Sequence, residues 1–186
     1  MSKFGTYIHW PYCLSKCPYC DFASSVCKAV DEDALMAAYL RDLAKTAELV
    51  KANAPANKRT VTSVFFGGGT PSLMSLETVE KLLKQIDKQF ALSKTAEISM
   101  EANPDAIDLE KMQALKSLGI NRLSLGVQAL NEADLRFLGR RHTLKTALTR
   151  IEQMHKVFDN CSIDLMYARP NQELDAWRQE LGQALA

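Results

Sequence analysis

Three of the five cysteines lie within eight residues of one another, in the segment 6–22. Cys13, Cys17 and Cys20 are separated by three and then two residues, so one loop can direct three thiolates at a single inorganic centre. Thiolate selects zinc, copper or iron-sulfur clusters over magnesium or calcium. A structural zinc or a full ferredoxin-type cluster takes four protein ligands, so a set of three favours a [4Fe-4S] cluster with one open iron. A zinc knuckle or a redox pair with this spacing is the alternative.

The composition is that of a globular protein with nearly balanced charge. The chain has 186 residues, with 23 basic and 22 acidic side chains. This balance indicates neither a nucleic acid nor an anionic membrane as partner. No stretch approaches the roughly eighteen apolar residues of a membrane span, and the first residues lack the apolar core of a signal peptide. We therefore expect a cytoplasmic protein without an integral membrane segment, in which clustered cysteines bind metal rather than form disulfides.

Short apolar runs alternate with amphipathic stretches, which is the pattern of parallel βαβ units. The predicted strands are residues 4–9, 61–66, 97–101, 122–126 and 162–165. The predicted helices are one capped by Asp31 or Asp33 with apolar positions over 35–50, then 76–90, 109–118, 132–138, 144–158 and 173 onward. About five βα units indicate an α/β fold, most of an open or closed (β/α) TIM-like barrel, with a doubly wound sheet as the alternative. The last residues stop within an apparent helix, so we expect a fragment.

In a barrel, the chemistry lies at the carboxyl ends of the strands. Three glycines, Gly67 to Gly69, follow the second predicted strand, where missing Cβ atoms would let a ligand approach the backbone. Glu101 ends the third strand, where a carboxylate would suit a cationic group or sugar hydroxyls. Gln128 follows the fourth and offers both a donor and an acceptor. The plainer interpretations are a mobile turn for the glycines and a solvated charge for Glu101.

The spacing Cys-x-x-x-Cys-x-x-Cys, with Tyr19 just before the last cysteine, resembles the signature of radical S-adenosylmethionine (SAM) enzymes. In that family the open iron binds SAM, and an electron from the cluster cleaves the sulfonium to give a 5'-deoxyadenosyl radical. The resemblance implies a [4Fe-4S] cluster held by Cys13, Cys17 and Cys20, SAM as cofactor, and an electron donor such as a flavodoxin or ferredoxin.

Five motifs in chain order resemble the oxygen-independent coproporphyrinogen III oxidase family, including its heme chaperone branch. They are Tyr-Ile-His-Trp-Pro-Tyr-Cys, Gly-Gly-Gly-Thr-Pro-Ser, Glu-Ala-Asn-Pro, Asn-Arg-Leu-Ser-Leu-Gly-Val-Gln and Ile-Asp-Leu-Met-Tyr. The resemblance implies that residues 1–186 form a radical SAM core domain that lacks the C-terminal part of the family. Matched motif by motif, the residues that bind SAM or lie beside the cluster would be Tyr7, Tyr19, Gly68, Gly69, Thr70, Glu101, Gln128, Arg140 and Asp164.

Two departures from the family pattern bear on function. Phe22 stands where the oxidases typically have a further cysteine, which favours the heme chaperone branch. Tyr167-Ala168-Arg169-Pro170 stands where the family usually has Tyr-Gly-Leu-Pro, which places an arginine in the loop after the fifth strand.

Three functions follow from the resemblance. The first is a chaperone that binds and delivers heme to heme-accepting proteins. The second is a SAM-dependent oxidative decarboxylation of coproporphyrinogen III to protoporphyrinogen IX, with the porphyrinogen as partner. The third is a non-catalytic iron-sulfur binding fragment.

The remaining cysteines and histidines have plainer predicted roles. We expect Cys27 to be a spare thiol and Cys161 a small buried hydrophobe. His9 is expected either near the cluster or in packing at the strand end, and His155 in the core or at its boundary. The run from Arg140 to His142 would either meet a substrate carboxylate or be solvated.

Overall fold

The computed structural model describes residues 4–55 and 60–185. The strands are β1 Phe4–Trp10, β2 Tyr12–Cys13, β3 Ser25–Val26, β4 Val61–Gly68, β5 Leu92–Ala102, β6 Arg122–Gln128 and β7 Asn160–Leu165. The helices are α1 Glu32–Asn53, α2 Leu76–Phe90, α3 Leu109–Ser117, α4 Glu132–Phe137, α5 Leu144–Val157 and α6 Leu174–Leu185. A short 3-10 turn, Pro71–Leu73, precedes α2.

The main sheet has five parallel strands in the order β1-β4-β5-β6-β7, which is also their order along the chain. A doubly wound sheet reverses its strand order at a switch point, whereas a barrel adds each new strand on the same side. The prediction of an α/β fold with barrel-type topology is therefore confirmed, and the doubly wound alternative is wrong. Within the described residues β1 and β7 are not paired, so the sheet is open.

The sheet has one apolar face and one polar face. Side chains alternate along a strand, so residues aligned across strands share a face. Ile8, Phe66, Met100 and Leu123 form one such row, and all are buried in the core that the helices cover. We call this side the helix-covered face. The opposite side, the open face, carries mainly polar side chains: Tyr7, His9, Ser63, Glu97, Ser99, Glu101, Ser124 and Asp164.

Side-chain caps begin the helices where the sequence predicts them. The Asp31 carboxylate accepts a hydrogen bond from the Ala34 N–H at 2.9 Å, which selects Asp31 over Asp33 as the cap of α1. Ser75 caps α2 in the same way through Thr78 N–H at 3.1 Å. Gly119 follows α3 with a φ of +106°, the left-handed conformation that ends many helices.

The sequence did not predict two features that lie beside the candidate site. β2 and β3 form a small parallel pair inside the cysteine loop. In addition, β4 continues through Gly67 and Gly68, and β6 continues to Gln128. Gly68 and Gln128, which were predicted to follow their strands, are therefore the last residues of those strands.

No helix in the described ranges is both long enough and apolar enough to cross a membrane.

Candidate functional site

The cysteine loop leaves the carboxyl end of β1 and is tied at its base by backbone hydrogen bonds. Ser25 N–H donates to the Pro11 carbonyl at 2.7 Å, and Cys27 N–H donates to the Cys13 carbonyl at 3.0 Å. A tighter turn inside the loop is closed by Cys20 N–H and the Cys17 carbonyl at 3.1 Å. The loop therefore has a defined backbone, and its three clustered cysteines are free thiols.

A cavity of about 510 Å³ lies between this loop and the carboxyl ends of β4 to β7. Its size is within the roughly 300–1,000 Å³ typical of small-molecule sites. Ten of the twelve residues predicted for the cluster and cofactor line it: Cys13, Cys17, Cys20, Tyr19, Gly69, Thr70, Glu101, Gln128, Arg140 and Asp164. Residues far apart in sequence are brought together because parallel strands present their carboxyl ends at the same edge.

The three cysteine sulfurs are compatible with a cubane cluster. Within the described ranges, no three Cys, His, Asp or Glu side chains are grouped closely enough to hold one metal ion. A cubane cluster binds each cysteine through a different iron, so its sulfur ligands need not converge on one point. Cys13 and Cys17 also have donors beside their sulfurs, Thr70 Oγ1 at 3.4 Å and Arg140 Nη1 at 3.5 Å. Hydrogen bonds of this kind stabilise thiolate sulfur.

Arg140 joins the cysteine loop to the strand ends. Its Nη2 donates to Asn103 Oδ1 and to the Gly126 carbonyl, both at 2.7 Å. Its Nη1 reaches Cys17 and also the Tyr19 hydroxyl at 3.3 Å. Its buried Nε has no hydrogen-bond partner among the described residues. Arg140 thus supplies positive charge to the wall of the cavity beside the Cys17 sulfur.

Two carboxylates lie across the same cavity. Burial raises the pKa of Glu101, the hydrogen bond from Gly68 N–H at 3.2 Å opposes that shift, and the nearby Asp164 charge adds to it. Burial also raises the pKa of Asp164, against the hydrogen bond from Ser124 at 3.1 Å and the charge of Arg122. Two partly desolvated carboxyl groups that line one cavity favour a cationic ligand, because a nearby positive charge stabilises the ionised form of both.

Tyr19 stays a neutral hydroxyl in this setting. Burial raises its pKa to about 12, although the Arg140 charge acts in the opposite direction. Its ring packs beside Ala129, Leu135 and Leu138, a small apolar cluster separate from the main core. Tyr19 therefore lies between the cysteine loop and α4, beside the predicted cluster ligands.

Two predicted residues, Tyr7 and Gly68, do not line the cavity. The Tyr7 ring stacks on Phe65 with centroids 5.9 Å apart, and its hydroxyl lies 3.2 Å from His9 Nδ1. Gly68 has a φ of +111°, and a Cβ there would lie 2.8 Å from the Trp10 carbonyl oxygen.

Gly69 also lies against the cysteine loop, a contact that the sequence did not suggest. A Cβ on Gly69 would lie 2.5 Å from the Tyr12 carbonyl oxygen, so the close neighbour is the cysteine loop itself. Gly69 N–H donates to the Trp10 carbonyl at 2.6 Å, and Thr70 N–H donates to the Tyr12 carbonyl at 2.9 Å. The glycine run lets the loop dock on the end of β4, and through that docking it shapes the cavity.

Asn103 and Lys16 line the cavity but were not predicted as site residues. Asn103 binds Arg140 and donates to Thr70 Oγ1 at 3.2 Å. Its position two residues after Glu101, on the same face of β5 extended, was a signal that could have identified it. Lys16 donates to the Phe22 carbonyl at 2.7 Å and so closes the loop. Because Lys16 lies in the loop and not on a strand, strand periodicity could not identify it.

The remaining cysteines and histidines lie outside this cavity. Cys27 donates to the Ala29 carbonyl at 3.2 Å. Cys161 packs partly against the core, and its sulfur is 3.4 Å from His155 Nδ1. The placement of His155 in the core was wrong: its side chain is exposed, although Ile151 and Phe158, at helical spacing from it, pack in the core. His9 Nε2 is hydrogen-bonded to the Ala23 carbonyl at 2.8 Å, so it braces the cysteine loop.

The chain belongs to the radical SAM superfamily, whose sequence model matches residues 7–181. Membership implies SAM and a [4Fe-4S] cluster as cofactors, in agreement with the three cysteines and the cavity beside them.

Its relatives include heme chaperones and a porphyrinogen oxidase. The chain is 39% identical to heme chaperone HemW of Buchnera aphidicola over 94% of this chain and 45% of that protein. It is 36% identical to HemW of Escherichia coli over 100% of this chain and 48% of that protein. The solved structure of coproporphyrinogen III oxidase (HemN) from Escherichia coli, a radical SAM enzyme, superposes with a TM-score of 0.85 at 27% identity, covering 98% of this chain and 41% of that one. The chain thus spans less than half the length of these relatives.

Proposed function

We propose that residues 1–186 form the radical SAM core domain of a protein of heme metabolism, and that this protein is a cytoplasmic heme chaperone. Cys13, Cys17 and Cys20 would hold the [4Fe-4S] cluster, and the cavity beside them would hold SAM. When both are bound, the cluster supplies the electron that cleaves the sulfonium of SAM. Heme would be the cargo, and a flavodoxin- or ferredoxin-type donor and heme-accepting proteins would be the partners.

The chain's own residues support the binding part of this proposal. Glu101 and Asp164, both on the cavity lining, would provide negative charge for the positive sulfonium and amine of SAM. Gln128 offers an amide that both donates and accepts. Arg140 balances the anionic sulfur of the loop and connects it to β6 through the Gly126 carbonyl.

The observation that carries the choice of heme chaperone is Phe22. Its side chain is 60% exposed and lies on the cavity lining, although phenyl rings are usually buried. A phenyl ring can neither donate a proton nor bind a metal, but it can stack on a flat aromatic ligand. Phe22 is therefore suited to contact a planar macrocycle at the mouth of the site.

The competing function is the oxidation of coproporphyrinogen III. It is favoured by the superposition on the oxidase structure and by the presence, in the cavity lining, of the residues expected to bind SAM. Every residue argued for SAM binding serves both functions, so these residues do not discriminate between them.

Anaerobic reconstitution tests the cofactor part first. We expect a [4Fe-4S] spectrum in electron paramagnetic resonance that shifts on addition of SAM. Cys17→Ala should abolish the cluster, whereas Cys27→Ala should keep it, because Cys27 lies off the cavity. A spectrum that SAM does not change would contradict the proposed site.

A heme titration, followed by absorbance, tests the chaperone part beside an assay with coproporphyrinogen III. We expect heme binding that weakens in Phe22→Ala and no porphyrinogen turnover. Phe137→Ala is the matched control, since Phe137 is 59% exposed and lies off the cavity. Formation of protoporphyrinogen IX that depends on SAM and reductant, and is lost in Cys17→Ala, would identify the oxidase instead.

A further inference from the structure

The loop after β7 contains a buried ion pair between Arg169 and Glu180 of α6. Each residue is 6% exposed. Arg169 Nη2 lies 2.5 Å from Glu180 Oε2 and 2.8 Å from Asp134 Oδ2. Removing two charges from water is costly, and an apolar pair of similar size often stabilises a fold as well or better. Stability alone is therefore a weak reason for these two charges.

Both members of the pair hold the backbone that follows Val127. Arg169 Nη1 donates to the Gln128 carbonyl at 3.3 Å and to the Met166 carbonyl at 2.6 Å. Glu180 Oε1 accepts from the Leu130 N–H at 2.6 Å. The Gln128 carbonyl also accepts from the Met166 N–H at 2.9 Å. The pair thus fixes the chain at Gln128 and again two residues later.

Gln128 itself has an unusual backbone. Its φ is +73°, a region that residues other than glycine rarely adopt. The register between β6 and β7 also shifts here, from Gly126 opposite Asp164 to Gln128 opposite Leu165. Strained backbone persists only where the surroundings over-determine it, and it concentrates at functional sites. The side chain of Gln128 lines the cavity.

We propose that Arg169 and Glu180 are positioning residues of the cofactor cavity: they hold Gln128 in its left-handed conformation and so place its amide at the cavity wall. This inference rests on the proposed SAM site. Gln172 supports the arrangement, because its amide donates to Glu180 Oε2 at 3.3 Å. An apolar residue at 169 could pack in the same space but could not hold the Gln128 carbonyl.

The test compares a double variant, Arg169→Leu with Glu180→Leu, with the unchanged chain. Removing both charges avoids an unpaired ion at either fully buried position, and Asp134, which also loses Arg169, is 32% exposed and keeps its hydrogen bond from Asn131. Arg178→Leu is the matched control, because Arg178 lies on α6 and pairs only at the surface with Asp175 at 3.0 Å. The readouts are thermal unfolding, iron content, SAM affinity of the reconstituted protein, and hydrogen exchange of the Leu130 and Met166 amides without SAM.

We expect a folded double variant with full iron content and faster exchange at Leu130 and Met166. Its SAM affinity should be about tenfold weaker, equivalent to about 1.4 kcal/mol. Arg178→Leu should match the unchanged chain in every readout. Unaltered SAM affinity in a folded double variant, or unaltered exchange at both amides, would overturn the inference. A double variant that does not fold would assign the pair to the fold and overturn it as well.

Failure of SAM to bind the unchanged chain is a different result. It would overturn the proposed cofactor site and, with it, the purpose assigned to the pair. The exchange measurement, made without SAM, would still decide whether the pair restrains Gln128.

Discussion

The two faces of the five-stranded sheet differ in polarity, although the same strands form both. On the helix-covered face, Ile8, Phe66, Met100 and Leu123 are each at most 4% exposed and form part of one continuous core. On the open face, the aligned neighbours are polar and bind one another, as Ser124 does with Ser162 at 2.9 Å. Branched apolar side chains usually fill the interior of a (β/α) barrel. The polar open face therefore indicates that this side of the sheet serves ligands and that the other side holds the fold.

Phe66→Ala should have the largest effect on the helix-covered face. Phe66 is fully buried in the core, so truncation creates a cavity, and such changes cost about 3–5 kcal/mol of unfolding free energy. Urea unfolding measures the loss. In the fraction that remains folded, SAM affinity should be unchanged, because Phe66 points away from the cavity. A strong loss of SAM affinity with little change in stability would break the division between the faces.

His142 should give the next largest effect, through pH. Burial first and the nearby Arg140 charge second lower its pKa from 6.5 to about 4, against the opposing effects of Asp105 and Glu132. As the pH falls below 6.5, His142 becomes protonated in the unfolded chain but stays neutral in the folded chain. The folded state should therefore lose about 3 kcal/mol between pH 6.5 and 4, with no further loss from this group below that.

The comparison variant is His142→Gln, which keeps a donor for the Val127 carbonyl that His142 Nε2 contacts at 3.2 Å. Carboxylates titrate in the same range, so the quantity to examine is the difference in unfolding free energy between the two proteins at each pH. As the pH falls from 6.5 to 4, the chain with His142 should lose more unfolding free energy than the His142→Gln variant. A difference independent of pH would show that His142 titrates normally in the folded chain.

Glu101→Gln probes the open face. The amide can still accept from Gly68 N–H, so the fold should keep its stability, while the charge facing a cationic ligand is lost. SAM affinity should fall about tenfold, equivalent to about 1.4 kcal/mol. Glu97→Gln, on the same face of β5 but off the cavity, is the matched control. Equal SAM affinity in both variants would mean that the open-face carboxylates do not recognise the ligand.

The smallest effect is expected in the loop between β7 and α6, away from both faces. Ala168 has a φ of +56°, which disfavours a residue with a Cβ. Ala168→Gly should raise the unfolding free energy by less than about 1 kcal/mol, because relief of strain is partly offset by glycine's greater freedom when unfolded. Ala133→Gly, in α4, should lower it by about 0.5–1 kcal/mol. A loss of stability in Ala168→Gly would show that this backbone is unstrained.

The sequence predicts the two faces unequally well. Short apolar runs that alternate with amphipathic stretches identify every strand of the main sheet. Residues such as Val64 and Leu125 in these runs are apolar because they are buried. The candidate site was predicted from the cysteine spacing, from strand-end positions and from family resemblance, since Cys13, Glu101 and Gln128 follow no hydrophobic period.

Other parts of the site depend on contacts between distant segments and leave no local pattern. Arg140 reaches Cys17 across 123 positions, and Gly69, just after β4, lies against the Tyr12 backbone. Arg169 was visible only as a departure from a family motif. Its partners, Glu180 and the Gln128 carbonyl, became evident when α6 and β6 were placed in space.

The short pairing of β2 with β3 has a consequence for the fold of the chain without metal. Pro11 with Ser25, and Cys13 with Cys27, close the base of the cysteine loop with backbone hydrogen bonds alone. These bonds belong to the backbone, so much of the entropy cost of closing the loop is offset by protein contacts and not by metal ligands. We therefore expect the chain to keep its fold when metal is removed, unlike a zinc finger, which remains unfolded until metal binds.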